Sequence, residues 1–224
     1  VDCGSSANSN YTNSLTGIDI TWTPDTTLWP DIEMWSVSTN VNLPTNMTDE
    51  KQYSTLRYFP TTSSSSKALN HSKFCYTLPA IAHNYYLIRA SFWYGLASTR
   101  YETRVNDQIS FHVIVDNYEG VEIVIDIPQN FPWFEEMYIR AQTTFVSVCL
   151  SAASDRSDTP FINSLELRPL PVTLNSVATI RNTNCALRTV WREDTGTSSA
   201  NPPILRSVKS LHKNHPRSAS HWED

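Results

Sequence analysis

The sequence predicts an all-β fold, a β-sandwich or jelly roll with little helix. Apolar residues recur with a period of two in several runs of strand length. Clusters of Pro, Gly, Asn and Asp separate these runs at spacings of about 8–16 residues. No window of a dozen or more residues carries a convincing helical period. Short strands punctuated in this way are typical of sandwiches and jelly rolls.

The first 80 residues give the weaker strand signals, which lie between long polar loops. Three pieces there are strand-like, namely 18–22, 35–39 and 56–59. The tract 61–67 (TTSSSSK) has no side chain to bury, so we expect an exposed loop.

The next 90 residues give the stronger signals. In 121–127 every odd position is apolar, whereas Glu122 and Asp126 point the other way, as in a strand with one buried face. The β-branched and aromatic runs that we predict as strands are 85–92, 109–115, 121–127, 137–141, 145–150 and 161–167. Between two of them we expect Glu135 and Glu136 to form a solvated turn. Adjacent strand residues face opposite ways, so this pair cannot flank one glycosidic bond.

Composition excludes several classes of protein. Ser, Thr and Asn supply 68 of the 224 residues, charged residues only 17%, and the pI of about 5.7 gives no nucleic-acid footprint. Aromatic residues make up 11% of the chain, more than a disordered chain carries. The longest apolar stretches are too short to span a membrane, and the polar opening (VDCGSS) shows no signal peptide in this chain.

No catalytic or cofactor motif is present. The five glycines provide neither a nucleophile elbow nor a phosphate-cradling loop, and there is no HExxH zinc motif. The sequence therefore predicts no enzyme, no cofactor and no metal site.

Four cysteines and three glycosylation sequons bear on the cellular compartment. Cys3, Cys75, Cys149 and Cys185 include no CxxC pair. They allow two disulfides, in any of three connectivities, or ordinary buried thiols. The sequons begin at Asn10, Asn46 and Asn70, a number no higher than chance predicts for this composition.

What remains is recognition by loop residues. Trp93, Tyr94 and Tyr101 lie at a strand end and in the following loop, where aromatic faces stack on sugars or peptides. The alternative is that Trp93 caps the core. Asp158, with Asp155 in the same loop, supplies hydrogen-bond acceptors or simply forms a turn.

A set of motifs in a fixed order resembles the malectin-like domains of plant receptor-like kinases, chiefly those with leucine-rich repeats. The motifs are VDCGSS, TGIDITWTPD, YSTLRYFP, FCYTLP, YYLIRASFWYG, VSVCLS and DTPFINSLELRPLP, and the resemblance covers residues 1–206. It implies a jelly-roll β-sandwich, malectin-like and galactose-binding-like. It also implies a secreted glycoprotein module on the extracellular side of the plasma membrane, whose full-length relatives are membrane-anchored. Asp158 is similar in position to the acidic sugar ligand of malectin.

The same resemblance suggests the domain organisation. We expect a malectin-like domain over 1–171, a linker and the start of an incomplete second unit over 172–206, and a disordered tail over 207–224. Because the tail departs from the family pattern, we hypothesise a truncated or misread gene product, without a kinase or a transmembrane segment.

Two functions follow as expectations. The first is a non-catalytic extracellular recognition domain that takes part in signal transduction and binds carbohydrate, a secreted peptide or a co-receptor. The second is a structural interaction module of a receptor ectodomain without a small ligand.

Overall fold

The computed structural model describes residues 1–5, 10–13, 20–43, 50–60, 73–95, 108–118, 120–129, 131–153, 158–183 and 185–190. The predicted loop 61–67 and tail 207–224 lie outside these residues.

Thirteen strands and two α-helices follow one another along these residues. The strands are β1 Tyr11–Asn13, β2 Ile20–Trp22, β3 Val37–Asn40, β4 Thr55–Tyr58, β5 Lys73–Pro79, β6 Tyr85–Phe92, β7 Gln108–Val115, β8 Val121–Asp126, β9 Trp133–Arg140, β10 Phe145–Ala152, β11 Phe161–Ile162, β12 Ser164–Pro169 and β13 Leu187–Arg188. The helices are α1 Asp25–Leu28 and α2 Asn175–Thr183, and 3-10 turns cover Pro30–Met34 and Lys51–Tyr53.

Two four-stranded antiparallel sheets form the sandwich. The first has the strand order β5-β10-β7-β8 and the second β12-β6-β9-β13. Alternation along β5 is regular: Phe74, Tyr76 and Leu78 are buried, whereas the residues between them are exposed. Each sheet therefore presents one apolar face to the other.

The core between the sheets is rich in aromatic rings. Phe92 of β6 meets Phe111 of β7 edge to face, with centroids 5.3 Å apart, and Phe161 of β11 contacts both rings. Such pairs stabilise beyond their buried area. They join the two sheets and the small sheet β11-β4-β3 into one core.

The amino-terminal segment is threaded between distant parts of the chain. The Asp2 amide donates to the Thr23 carbonyl, and the Cys3 amide donates to the Asn163 carbonyl, both at 2.8 Å. Gly4 follows with φ of 82°, and a Cβ there would lie 2.6 Å from the Leu56 carbonyl oxygen. This close approach explains why a glycine occupies that position.

The structure confirms the all-β sandwich and places a strand in each stretch predicted as one. The expectation of a solvated turn at Glu135-Glu136 was wrong. Both residues lie within β9 and are buried. Arg89 and Arg188 come from β6 and β13 and pair with the two carboxylates, which makes their burial tolerable.

One disulfide joins the two sulfur atoms of Cys75 and Cys149, which are direct partners across β5 and β10. Among the four cysteines, all of them in the described residues, Cys3 is buried and Cys185 exposed, and neither forms a disulfide. The structure thus selects one pairing that the spacing alone left open.

Residues after 171 continue against the same sheet. Helix α2 contacts β9 and buries Val177 and Ile180, and β13 then pairs with Met137 and Tyr138 of β9. The predicted boundary at 171/172 stays a prediction.

Candidate functional site

One end of the sandwich gathers the connections that carry the predicted ligand residues. Pairing of Phe92 with Trp133 joins the end of β6 to the start of β9 in one sheet, and pairing of Gln108 with Asp126 joins the start of β7 to the end of β8 in the other. The ring contact of Phe92 with Phe111 of β7 brings these strand ends of the two sheets together. Strand β10 also finishes at this end, since its last residue pairs with Phe111. The described residues next to these strand ends, namely 93–95, 127–129, 131–132, 153 and 158–160, therefore lie at one end of the sandwich, and we call this region the loop end.

Trp93 is held at the base of the loop end. Its amide donates to Asn163 Oδ1 at 2.6 Å, and its indole Nε1 donates to the Asn42 carbonyl at 2.9 Å. Asn163 in turn donates to the Thr55 carbonyl at 2.8 Å. The Trp93 side chain is only 5% exposed, so its faces are not open for stacking in this arrangement.

Tyr94 is fixed in a similar way by a second side-chain amide. Its backbone N–H donates to Gln129 Oε1 at 2.6 Å, while Gln129 Nε2 donates to the Phe92 carbonyl at 3.0 Å. The ring packs edge to face on Phe161 at 5.3 Å and is 5% exposed. Gln129 thus ties the loop after β8 to the loop after β6.

Asp158 also points inward, at 4% exposure. Its Oδ2 accepts a 2.8 Å hydrogen bond from the Ser110 amide, and the Ser110 hydroxyl donates to Glu122 Oε1 at 2.7 Å. The carboxylate therefore satisfies a backbone donor near the start of β7, a structural task that ligand binding would have to disturb.

The structure places three of the four predicted ligand residues at the loop end. Tyr94 contacts Phe161, and Asp158 lies three residues before Phe161 in the chain. Tyr101 lies outside the described residues, as do Asp155 and the sequon residues Asn46 and Asn70. Asn10 is exposed, so its sequon is sterically accessible.

Sequence reasoning missed Asn163 and Gln129, the two side chains that hold the loop base. A signal was available for Asn163, because it interrupts the apolar start of the run FINSLEL. An uncharged amide inside a buried run indicates a backbone partner elsewhere in the fold. Gln129, in a Pro-rich turn, gave no comparable signal.

A second polar region surrounds the buried ion pair of Asp25 and Arg57, both 0% exposed. Arg57 Nη2 donates to Asp25 Oδ1 at 2.8 Å, and Arg57 Nη1 donates to the Ser36 hydroxyl at 3.0 Å. The Gly4 amide adds a hydrogen bond to Asp25 Oδ2 at 2.9 Å. We call this region the Asp25 cluster.

Asp2 lies beside the Asp25 cluster and links it to the β1–β2 hairpin. The Tyr11 hydroxyl donates to Asp2 Oδ2 at 2.8 Å. Burial raises the pKa of the Asp2 carboxyl to about 6, although this hydrogen bond and one from Ser5 oppose the shift. Burial likewise raises the pKa of the neighbouring Cys3 thiol, which keeps it protonated and unreactive.

Charged pairs on the second sheet are closer to solvent. Arg188 of β13 donates to both carboxylate oxygens of Glu135, at 2.6 and 2.9 Å. Arg89 donates to Glu136 Oε1 at 2.6 Å. Burial raises the pKa of Glu135, while Arg188 opposes that shift.

Within the described residues, no three His, Cys, Asp or Glu side chains gather into a possible metal site. In the same residues, we find no helix with the length and hydropathy to cross a membrane.

The curated relatives of the chain are plant receptor kinases. It is 30% identical over 197 residues to the Probable LRR receptor-like serine/threonine-protein kinase At1g67720 of Arabidopsis thaliana. The matched region covers 88% of this chain and 18% of that kinase. It is 28% identical over 173 residues to the probable LRR receptor-like kinase MEE39 of the same plant, covering 76% of this chain and 17% of the relative. The chain thus spans less than a fifth of these relatives.

Solved structures give the fold independently. The ANX1 ectodomain from Arabidopsis thaliana matches with a TM-score of 0.52 at 17% identity, over 77% of this chain and 41% of that one. The complex of the plant peptide RALF23 with FER and LLG2 matches with a TM-score of 0.50 at 17% identity, over 76% of this chain and 39% of that one.

The family assignment is decided by the sequence match. The family model for the Malectin-like domain matches residues 1–209, nearly the whole chain. This confirms the resemblance carried by the ordered motifs, and the sandwich fold agrees with it. The chain belongs to the malectin-like domain family.

Proposed function

We propose that the chain is a non-catalytic extracellular recognition domain of a receptor-like kinase, and that its ligand is a secreted peptide or a co-receptor protein rather than an oligosaccharide. The kinase relatives and the peptide complex of a structurally similar ectodomain support the setting. The Cys75–Cys149 disulfide supports an oxidising compartment and hence exposure outside the cell.

The observation that carries the choice of ligand is the inward orientation of the expected sugar ligands. Asp158 is bonded to the Ser110 amide, while Trp93 and Tyr94 are packed in the core. A sugar site needs an accessible aromatic face and an acceptor that is still available. Side chains that instead hold the loop base rigid favour a scaffold that presents loops to a protein surface.

The test uses the full chain and two panels of probes. Glucose disaccharides, cello-oligosaccharides and oligogalacturonides form one panel, and an array of synthetic secreted plant peptides, RALF23 included, forms the other. Binding is followed by tryptophan fluorescence and calorimetry. We expect no sugar to bind with a Kd below about 1 mM, and at least one peptide to bind in the micromolar range, roughly 4 kcal/mol tighter.

Asp158→Asn is the matched variant, since the amide oxygen still accepts from Ser110. A sugar response that this variant abolishes would overturn the proposal in favour of carbohydrate recognition. If no probe of either panel binds, the alternative function is favoured, namely a structural interaction module of a receptor ectodomain without a small ligand. Turnover of a glycoside that depends on one carboxylate would refute the absence of catalysis.

A further inference from the structure

The Cys75–Cys149 disulfide lies on the outer face of the first sheet, and its two cysteines differ in exposure. Cys75 belongs to the edge strand β5, between Phe74 and Tyr76, which face the core, and it is exposed. Cys149 belongs to β10, the next strand inward, and is 1% exposed. A thiolate that opens a disulfide must reach one of its two sulfur atoms. We therefore expect attack at Cys75 and not at Cys149.

A hydroxyl group lies beside the sulfur that would leave in such an attack. Ser147 Oγ is 3.2 Å from Cys149 Sγ, and because a disulfide sulfur carries no hydrogen, the hydroxyl is the donor. Asp116 fixes Ser147 through the backbone: the Ser147 amide donates to Asp116 Oδ1 at 2.7 Å, and the Ser147 carbonyl accepts from the Asp116 amide at 2.8 Å. The donor is thus already in place for the negative charge that develops on Cys149 when the S–S bond breaks.

The pairing of β5 with β10 has other support than the disulfide. All seven residues of Lys73–Pro79 pair in register with β10, and the side chains of β5 that face the core are buried. Opening the S–S bond removes a constraint on the unfolded chain, while these native contacts remain. We therefore expect the reduced domain to be less stable but still folded.

We propose that the Cys75–Cys149 disulfide is a site of thiol–disulfide exchange with a small thiol. The thiolate attacks Cys75 Sγ and forms a mixed disulfide there, while the electron pair of the broken S–S bond leaves on Cys149, which then takes up a proton from water. The Ser147 hydroxyl stabilises this leaving thiolate. A second thiolate attacks the sulfur of the bound thiol, which releases reduced Cys75 and one molecule of the small disulfide. The inference goes beyond the proposed function, because it needs no ligand at the loop end.

The probe is reduced glutathione, applied without oxidant to the folded full chain. Samples are quenched with acid, alkylated with N-ethylmaleimide in denaturant, and mapped as peptides by mass spectrometry. We expect the first product to carry glutathione on Cys75 and the maleimide on Cys149. The same peptide map separates this product from any adduct on Cys185, the exposed free thiol. Near-UV circular dichroism should show that the reduced protein keeps its fold.

Two serines of β10 provide a matched pair of variants. Ser147 and Ser151 each lie two residues from Cys149 and therefore share its face of the strand. The Ser151 hydroxyl, however, donates to the Ala152 carbonyl, at 3.4 Å. Ser147→Ala should slow the reaction with glutathione about fivefold or more, because a hydrogen bond to the leaving thiolate is lost, whereas Ser151→Ala should stay within about twofold of wild type.

Each of four results would overturn the inference. The first adduct could appear on Cys149, or the reduced protein could unfold, which would make the disulfide purely structural. The rate could fail to rise with glutathione concentration, which would mean that the protein must open before the disulfide reacts. Ser151→Ala could slow the reaction as much as Ser147→Ala does. None of these results bears on binding in the peptide and sugar panels, so the proposed function stands or falls separately.

Discussion

Two buried carboxylates of this domain, Asp25 and Glu135, have the same kind of partner in different surroundings. Asp25 and Arg57 are both 0% exposed. Glu135 is 4% exposed, yet its partner Arg188 is 42% exposed and sits on a two-residue edge strand. The first pair is enclosed, whereas the second is a buried anion capped by a cation at the surface.

The difference shows what each pair can contribute. Removing one partner of an enclosed pair leaves a charge that water cannot reach, so its loss is severe. A capped pair stays in contact with solvent, which screens the charge and allows water to replace the lost partner. Burial of a carboxylate alone therefore does not predict how much its partner stabilises the fold.

The largest expected effect is at the enclosed pair. Arg57→Met strands the Asp25 carboxylate and should lower the free energy of unfolding by about 3–5 kcal/mol at pH 7. Urea denaturation followed by tryptophan fluorescence measures it. Asp25→Asn/Arg57→Met leaves neither member of the pair charged and keeps an acceptor for the Gly4 amide, so it should recover part of the loss. If the free energy of unfolding of Arg57→Met lay within about 1 kcal/mol of the wild-type value, the distinction between the enclosed pair and the capped pair would be contradicted.

The second expected effect is a pH dependence of stability that comes from Asp2, beside the enclosed pair. The pKa of Asp2 is about 6 when folded and near 3.8 when unfolded, so the folded state binds the proton more tightly. The stabilisation is complete below about pH 4 and is lost as the pH rises through 6. From this group alone, stability should fall by roughly 2 kcal/mol between pH 4 and pH 7.5.

Asp2→Asn provides the check on that pH dependence. The amide can still accept from Tyr11 but cannot titrate, so the slope between pH 5 and 7 should flatten. An unchanged slope would assign the pH dependence to another group, such as Glu135.

A smaller effect is expected at the capped pair. Arg188→Ala should cost about 1 kcal/mol or less at pH 7, because solvent already reaches the guanidinium. The raised pKa of Glu135 should rise further, so the loss should shrink as the solution is acidified and the carboxyl takes up a proton. Denaturation at pH 7 and pH 4.5 tests both statements, and a loss equal to that of Arg57→Met would contradict the distinction.

Alkylation reports on both regions without changing stability. Cys3 lies in the enclosed region, while Cys185 lies just before β13 and is exposed. Iodoacetamide should modify Cys185 in the folded protein and both thiols after unfolding without reductant. Four reactive thiols in that unreduced sample would refute the Cys75–Cys149 disulfide.

Much of the sandwich could be predicted because its strands show their burial locally. In β8 and β10 the alternation of apolar and polar residues appears directly in the sequence. The prediction of a solvated turn at Glu135 and Glu136 was wrong because the arginines that neutralise these carboxylates lie 47 or more residues away in the chain. Local patterns cannot reveal a partner that only the sheet pairing brings close.

The loop end was harder to predict for a related reason. The place of Trp93 and Tyr94 after a strand, where exposed aromatic residues often lie, predicts them as ligand residues. The side chains of Asn163 and Gln129 instead capture their amides and hold both rings inward. Asn163 is 70 positions from Trp93 and Gln129 is 35 positions from Tyr94, so distant side chains determine how these two aromatic residues are oriented.

The threaded amino-terminal segment has a consequence for folding order. Cys3 pairs with Asn163, and Leu165 donates to the Val1 carbonyl, so strands near the two ends of the described sandwich close on each other. Contacts of such long sequence separation must wait until the chain as far as residue 165 has left the ribosome. Until then the acidic amino-terminal residues remain unpaired, and a nascent chain arrested before residue 160 should be sensitive to protease at its amino terminus.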